Sequence, residues 1–305
     1  MALCVALKVF NEIEYISYAI SQFYNTADRL LILEGCDSYM RISTDRVTSE
    51  GLSVDGTTEV ISSFPDPDGK IEHIKLGFYQ EEEECWQRML LDMKKGDVLW
   101  TAAADEFFFS EDIQIVKRIL EEGKYLTARF PFRTYWHDFY HVLRGGGWDN
   151  ELARAFVLLE DQMTMVGKGA SLRDSQGRDY TSPFYVGTTW LSPTILHHFS
   201  YVRTAEKIME KQCWQLEIED RFSAATENSP ISSSGLDCYL LKKRYRTPQR
   251  YIARNFSWFT AEYDERFGIY AERFDGPRPE ALSDHPYRYF VWDEEPTIWG
   301  GNLNV

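Results

Sequence analysis

An apolar run at residues 98–104, VLWTAAA, limits the fold more than any other stretch of this chain. Gly96 and Asp97 form a turn before it, and two adjacent carboxylates, Asp105 and Glu106, end it, with three phenylalanines beyond. A short apolar run bounded by a turn reads as a buried strand. Acids at the carboxyl end of such a strand lie where open α/β sheets bind ligands. A solvated Asp–Glu pair would also end a strand, so the weight falls on what the upstream segments bring to the same edge.

Those segments are regular. Residues 3–10 read as a strand ending at Asn11 and Glu12. Asn11 is placed to cap the next segment, with Glu14 completing a capping box, and Ile13, Ile16, Ala19, Ile20 and Phe23 recur at helical spacing. Residues 30–33 form a second apolar strand that ends at Glu34. A polar loop leads to Asp55-Gly56-Thr57-Thr58, where Thr57 opens a short helix to residue 64. Residues 71–76 read as a third strand. Residues 81–94 read as a helix with Trp86, Met89, Leu90 and Met93 on its apolar face, and the acids at 81–84 as its solvated start. Strands alternating with helices predict a parallel sheet with crossover helices. Three strand ends then carry acid along one edge.

The remainder is less regular. A helix is expected at 110–122, strands at 126–132, 135–142, 155–159 and 194–199, and a helix at 204–216. Gly145, Gly146 and Gly147 make a connection that lacks the following Lys or spaced glycines of a phosphate-binding loop. The change of pattern near Arg144 separates a regular half, 1–143, from a less regular half, 144–305, within one continuous domain.

Composition narrows the partners. The 305 residues carry a formal net charge of -15, which disfavours nucleic acid and anionic membrane surfaces. The five cysteines are scattered, with no CxxC pair, which suits free thiols in a reducing compartment. No apolar run approaches the ~20 residues of a membrane span, and the first residues lack the pattern of a signal peptide. The expectation is a soluble, cytoplasmic protein.

Five segments in order carry a resemblance: Lys8 to Glu12 (KVFNE), Asp55 to Thr58 (DGTT), Gln87-Arg88, Ala104 to Phe107 (ADEF), and His198 to Arg203 (HFSYVR). The order resembles the nucleotide-diphospho-sugar glycosyltransferases of the GT-A fold, nearest to family 2 and its relatives. The resemblance implies a Rossmann-related, mainly parallel α/β sheet flanked by helices, with a less regular C-terminal acceptor or lid region. It implies transfer of a sugar from a nucleotide-diphosphate donor to a carbohydrate or other hydroxyl acceptor, with inversion. The leaving diphosphate gathers negative charge, which such enzymes offset with Mn²⁺ or Mg²⁺ held by carboxylates.

The resemblance makes Asp105 the principal metal ligand. The family carries an earlier acid two positions before it, where this chain has Ala103, so phosphate and water would complete more of the coordination. His197 and His198 are adjacent on a strand and point to opposite faces. Spacing alone fits a core histidine or a ligand equally, and the family segment selects His198. Glu34 would accept a hydrogen bond from the donor base, with Phe10, Asn11 and Glu12 around the same pocket. Asp55 is a candidate for the nucleotide as well as a cap for the helix at Thr57. Arg88 is a candidate for the diphosphate. Arg203, Lys207 and Lys211 form a basic strip that also fits a solvated helix face. Asp149 and Glu151 are the candidates for the general base that deprotonates the acceptor, and Tyr135, Trp136, Trp148, Trp190 and Tyr201 could stack on sugar. A nucleotide-sugar or glycan binding protein without catalysis is the alternative, motivated by Ala103. A nucleotidyltransferase would need a Gly-rich basic loop after the first strand, which Phe10-Asn11-Glu12 is not.

Overall fold

The computed structural model describes residues 1–38, 40, 46–80, 82–136, 138–144, 150–166, 171–179, 188–204, 207 and 270–289. These fall into two compact units: the described residues of 1–133, 149–198 and 277–284, and those of 134–148, 199–276 and 285–305. Each unit therefore draws on chain from both sides of residue 144.

The elements run β1 (Leu3–Val9), α1 (Ile16–Tyr24), β2 (Arg29–Asp37), α2 (Thr57–Ser63), β3 (Ile71–Tyr79), α3 (Glu82–Arg88), β4 (Val98–Ala103), β5 (Glu106–Phe107), α4 (Ser110–Glu121) and β6 (Thr127–Trp136). There follow β7 (His141–Arg144), β8 (Glu151–Val157), β9 (Thr164–Val166), β10 (Ser171–Arg173), β11 (Thr189–Leu191), β12 (Leu196–Tyr201) and β13 (Tyr270–Arg273). In the first unit the sheet order is β6-β8-β4-β1-β2-β3. β4, β1, β2 and β3 are mutually parallel, and β8 runs antiparallel to both β4 and β6. The mostly parallel core matches the expected α/β layout.

β1, β4 and the middle of β2 are near-continuous apolar runs because both faces are covered, whereas the edge strand β3 carries Glu72, His73 and Lys75. Cys4, Ala6, Leu31, Leu33 and Leu99 pack with Trp86, Met89 and Met93 from α3 and the turns after it. The alternate residues, including Trp100, meet the other side, where Phe23 of α1 lies 5.7 Å from Trp100 and 6.2 Å from Phe108. This alternation is what aims successive side chains at the strand tips to opposite faces.

Three local expectations change. Asn11 does not cap α1, which begins at Ile16 behind Tyr15 with no side-chain cap bond. Asn11 instead has φ 54, a left-handed conformation that Asn tolerates better than most residues. The third helix stops at Arg88, after which the chain tightens into i→i+3 turns, such as Leu91 N to Arg88 O at 3.2 Å, and Asp92 adopts φ 60. Residues 135–142 are not one strand: β6 continues to Trp136, and Asp138 Oδ1 accepts the Tyr140 and His141 amides to turn the chain into β7. Gly145 to Gly147 and nearly all of the expected 204–216 helix lie outside the described residues.

In the second unit β13 pairs antiparallel with β7. Tyr135 stacks on Phe199 at 4.3 Å, Phe139 lies 4.6 Å from Phe199, and Trp136 lies 5.0 Å from Tyr201. Tyr135 and Trp136, expected as sugar platforms, are thus buried packing residues of this unit.

Candidate active site at the carboxyl edge of the sheet

Parallel register sets the tips of the strands side by side. Lys8 pairs with Leu33 and with Ala103, and Val9 pairs with Glu34. β8 runs the opposite way, so its beginning, with Glu151 and Arg154, lies at this same edge.

Beyond β4 the chain turns through Ala104 and Asp105 into β5. Gln22 of α1 pins this turn: its amide Nε2 donates to Glu106 O at 2.8 Å, and its Oε1 accepts the Phe108 amide at 3.0 Å. β5 then pairs with β12, placing His198 opposite Glu106 and His197 opposite Phe107. Asp105 is 3 % exposed, yet its Oδ1 stands 3.7 Å from His198 Nε2. The His198 ring lies 4.8 Å from that of Phe132. His197 faces the other way. It is buried edge-on to Phe109, and burial, with help from Arg278 and Arg133, pushes its pKa down to about 3. Of the two histidines, His198 is the one beside Asp105.

Glu106 is committed elsewhere. Arg154 grips it side-on, Nε donating to Oε2 at 2.8 Å and Nη2 to Oε1 at 2.6 Å. Burial works against the Arg154 charge, but the Glu106 and Asp105 carboxylates outweigh it and raise its pKa. Neither Gln22 nor Arg154 is picked out by sequence reasoning. The one signal for Arg154 is a lone charge between alanines in an otherwise apolar strand, Ala153-Arg154-Ala155. Gln22 only borders the apolar stripe of its helix.

The donor set can be tested against a divalent cation. A separation of 3.7 Å is too long for a hydrogen bond, and a carboxylate beside an imidazole is a donor pair whose chemistry would suit a divalent ion such as Mn²⁺. Among the described residues no group of three or more His, Cys, Asp or Glu could hold a metal. Any ion held by Asp105 and His198 would therefore need most of its shell from phosphate and water.

Glu34 has a different setting. Its side chain is fully buried, and its oxygens accept from Ser53 N at 3.0 Å, Thr58 Oγ1 at 2.6 Å and His73 Nε2 at 2.8 Å. Burial would raise its pKa, but these hydrogen bonds overcome that and lower it to about 2. In this arrangement the carboxylate holds a loop, where a hydrogen bond to a nucleotide base was expected. Asn11 and Glu12 bind the same loop. Asn11 Nδ2 donates to Arg46 O and its Oδ1 accepts from Val54 N, while the Glu12 amide donates to Thr57 Oγ1. Asp55 accepts from the Ile13 amide, the Thr57 amide and Thr57 Oγ1. Phe10 is half-buried in the bend after β1.

The structure does not gather every expected residue. Arg88 is exposed at the end of α3. The turns that follow lead to the opposite edge, where Leu91 O accepts from Arg29 at the start of β2. Arg203 belongs to the second unit, buried with its Nε donating to Ser200 O. Glu151 is half exposed and 3.9 Å from Arg129. Asp149, Trp148 and Lys211 lie outside the described residues. A concavity of about 480 Å³ lined by Gln87, Leu90, Asp92, Asp161 and Met163 shares no residue with the Asp105 cluster.

No family model matches the chain. No curated protein matches it either. Among solved structures, TarS from S. aureus is similar over 83% of this chain and 45% of its own, at 7% identity and a TM-score of 0.37. A shorter form, TarS 1-349, matches over 83% and 74%, at 7% and 0.34. Mannose-6-phosphate isomerase from Helicobacter pylori matches over 46% and 55%, at 9% and 0.29. The chain thus spans about half the length of the isomerase and of the longer TarS. At these scores the likenesses carry no weight, and the site stands on its own geometry.

Proposed function

We propose that the protein transfers a sugar from a nucleotide-diphosphate donor to a hydroxyl acceptor, with inversion at the sugar carbon and with Mn²⁺ or Mg²⁺ at the Asp105–His198 pair. The observation that carries this reading is that 3.7 Å pair at the carboxyl edge of a parallel sheet, together with the family-like order of the sequence segments. A divalent cation bound there would offset the charge that gathers on the diphosphate as the glycosidic bond breaks. Asp105 and His198 would orient the diphosphate. Phe10 and the loop fastened by Asn11, Glu12, Glu34 and Asp55 would form the nucleoside side. Glu151, at the same edge, would accept the proton of the attacking hydroxyl, a role Asp149 could equally fill.

Hydrolysis and transfer assays over a panel of nucleotide sugars test this. Wild type should turn over a donor faster with Mn²⁺, and D105A should lose at least roughly a hundredfold, as expected for removing a group that acts on transition-state charge. Equal activity of the two proteins would remove Asp105 from the reaction.

One observation favours a second reading, a nucleotide-sugar or glycan binding protein without catalysis. Ala103 stands where an acid is expected and Glu106 is tied to Arg154. Calorimetry that finds donor affinity but no turnover with any acceptor would select it. Among the described residues no helix is long and apolar enough to cross a membrane.

A further inference from the structure

We infer that Arg154 is a diphosphate-binding residue of this site, supplying fixed positive charge in the place where a second carboxylate would otherwise recruit it through metal. The inference rests on the donor reading above. A guanidinium has five N–H donors in a planar fork. Arg154 spends Nε and one Nη2 hydrogen on Glu106, and one Nη1 hydrogen on Ala153 O at 3.3 Å. Among the described residues the remaining two donors, one on each terminal nitrogen, have no acceptor. The side chain keeps 15% of its surface exposed.

The side-on grip on Glu106 leaves the end of the fork, Nη1 and Nη2, as the edge still able to donate. That edge matches two oxygens of a phosphate, and such charge-assisted pairs are among the stronger hydrogen bonds. A phosphate bound there would not have to break the Glu106 bridge.

Charge supports the placement. Asp105 and Glu106 contribute two negative charges and Arg154 one positive, so the cluster without His198 protonation is net negative. Two protein donors can hold a divalent cation only weakly, and a diphosphate brought to Asp105 alone would meet repulsion. Arg154 lies close enough to feel both carboxylates. It also stands on β8, a strand of the rigid sheet, so its position costs no loop ordering when ligand arrives. During transfer the C1–oxygen bond breaks and its electron pair passes to the diphosphate oxygen. A donor already fixed beside that oxygen strengthens as the charge grows.

Ala103 fits the same picture. Its amide donates to Glu106 Oε2 at 3.2 Å and helps hold the Glu106–Arg154 pair, while its methyl side chain adds no carboxylate to compete for the guanidinium. Glu106 is in this account a positioning residue, and Arg154 touches ligand.

The test is calorimetric titration of UDP and GDP against uridine and guanosine, with Mn²⁺ present. R154Q alone would leave Glu106 buried and unpaired, so it is compared with E106Q/R154Q, which removes both charges, and with R154K, which keeps one. Wild type should bind a nucleoside diphosphate well above its nucleoside. In E106Q/R154Q that advantage should fall roughly ten- to a hundredfold, with nucleoside affinity unchanged. R154K should lose part of the advantage, because a point charge lacks the fork. An undiminished diphosphate advantage in both E106Q/R154Q and R154K would overturn the assignment of Arg154 while leaving the donor reading intact. Wild type that binds neither nucleoside diphosphate would overturn both. A uniform loss for nucleoside and diphosphate alike in R154K, which retains the charge opposite Glu106, would make Arg154 structural and overturn the assignment.

Discussion

Glu34 shows how one side chain can be placed correctly by sequence and still have its partners misread. Its place after a buried apolar run is legible, although β2 does not end there but bulges between Glu34 and Gly35 and runs on to Asp37. Its partners are not, since Ser53, Thr58 and His73 are brought to it from 19, 24 and 39 residues away. Burial favours the neutral acid and the three donors favour the carboxylate, and the donors win, lowering the pKa from 4.5 to about 2. A depressed folded-state pKa gives stability that is complete above about 4.5 and disappears as pH falls through about 2. Urea midpoints measured between those pH values should fall in wild type and stay flatter in E34Q. At neutral pH E34A should cost about 1–3 kcal/mol, the range for stranding buried donors. Asp105 is legible for a similar reason, as the polar end of an apolar run, whereas spacing leaves His198 equally a core histidine and only the family-like segment selects it. Arg154 is not legible, because nothing local announces which carboxylate a lone strand arginine will meet.

Among the elements, the parallel strands and their helices are legible because a strand covered on both faces has to be a continuous apolar run. Turns are less so. The 135–142 stretch alternates well enough for a strand, and only Asp138, taking two backbone amides, breaks it. The crossing of the 48–52 loop over the β2–β3 edge depends on glycines that no periodicity reveals. Gly77 has φ 69, and a Cβ there would stand 2.4 Å from Glu50 O, a backbone atom that cannot swing aside. G77A should therefore lower stability by about 2 kcal/mol or more, combining left-handed strain with the collision. Thermal melts against wild type measure this. A loss no larger than a few tenths of a kcal/mol would show that the loop has room to shift. The same loop is fastened by Glu34 and Asn11, so G77A should also weaken nucleoside binding if that loop forms the nucleoside side.

At the scale of the molecule, the first unit contains the parallel strands, the Asp105–His198 pair and Arg154. A chain of net charge -15 draws no phosphate by its overall field, so any donor has to be held by local cations. On the proposed reading, divalent metal and diphosphate binding would then be mutually dependent, each supplying what the other lacks, and the coupling would be reciprocal. The regular half of the chain carried enough pattern to predict this edge, whereas the aromatic, irregular half did not announce which rings would be packed inside. The most direct measurement is a calorimetric titration of UDP and GDP with and without Mn²⁺ in wild type, D105N and H198A. Mn²⁺ should tighten binding of at least one nucleoside diphosphate in wild type by tenfold or more, and each substitution should remove most of that gain. Equal enhancement by Mn²⁺ in all three proteins, or none in wild type, would contradict this.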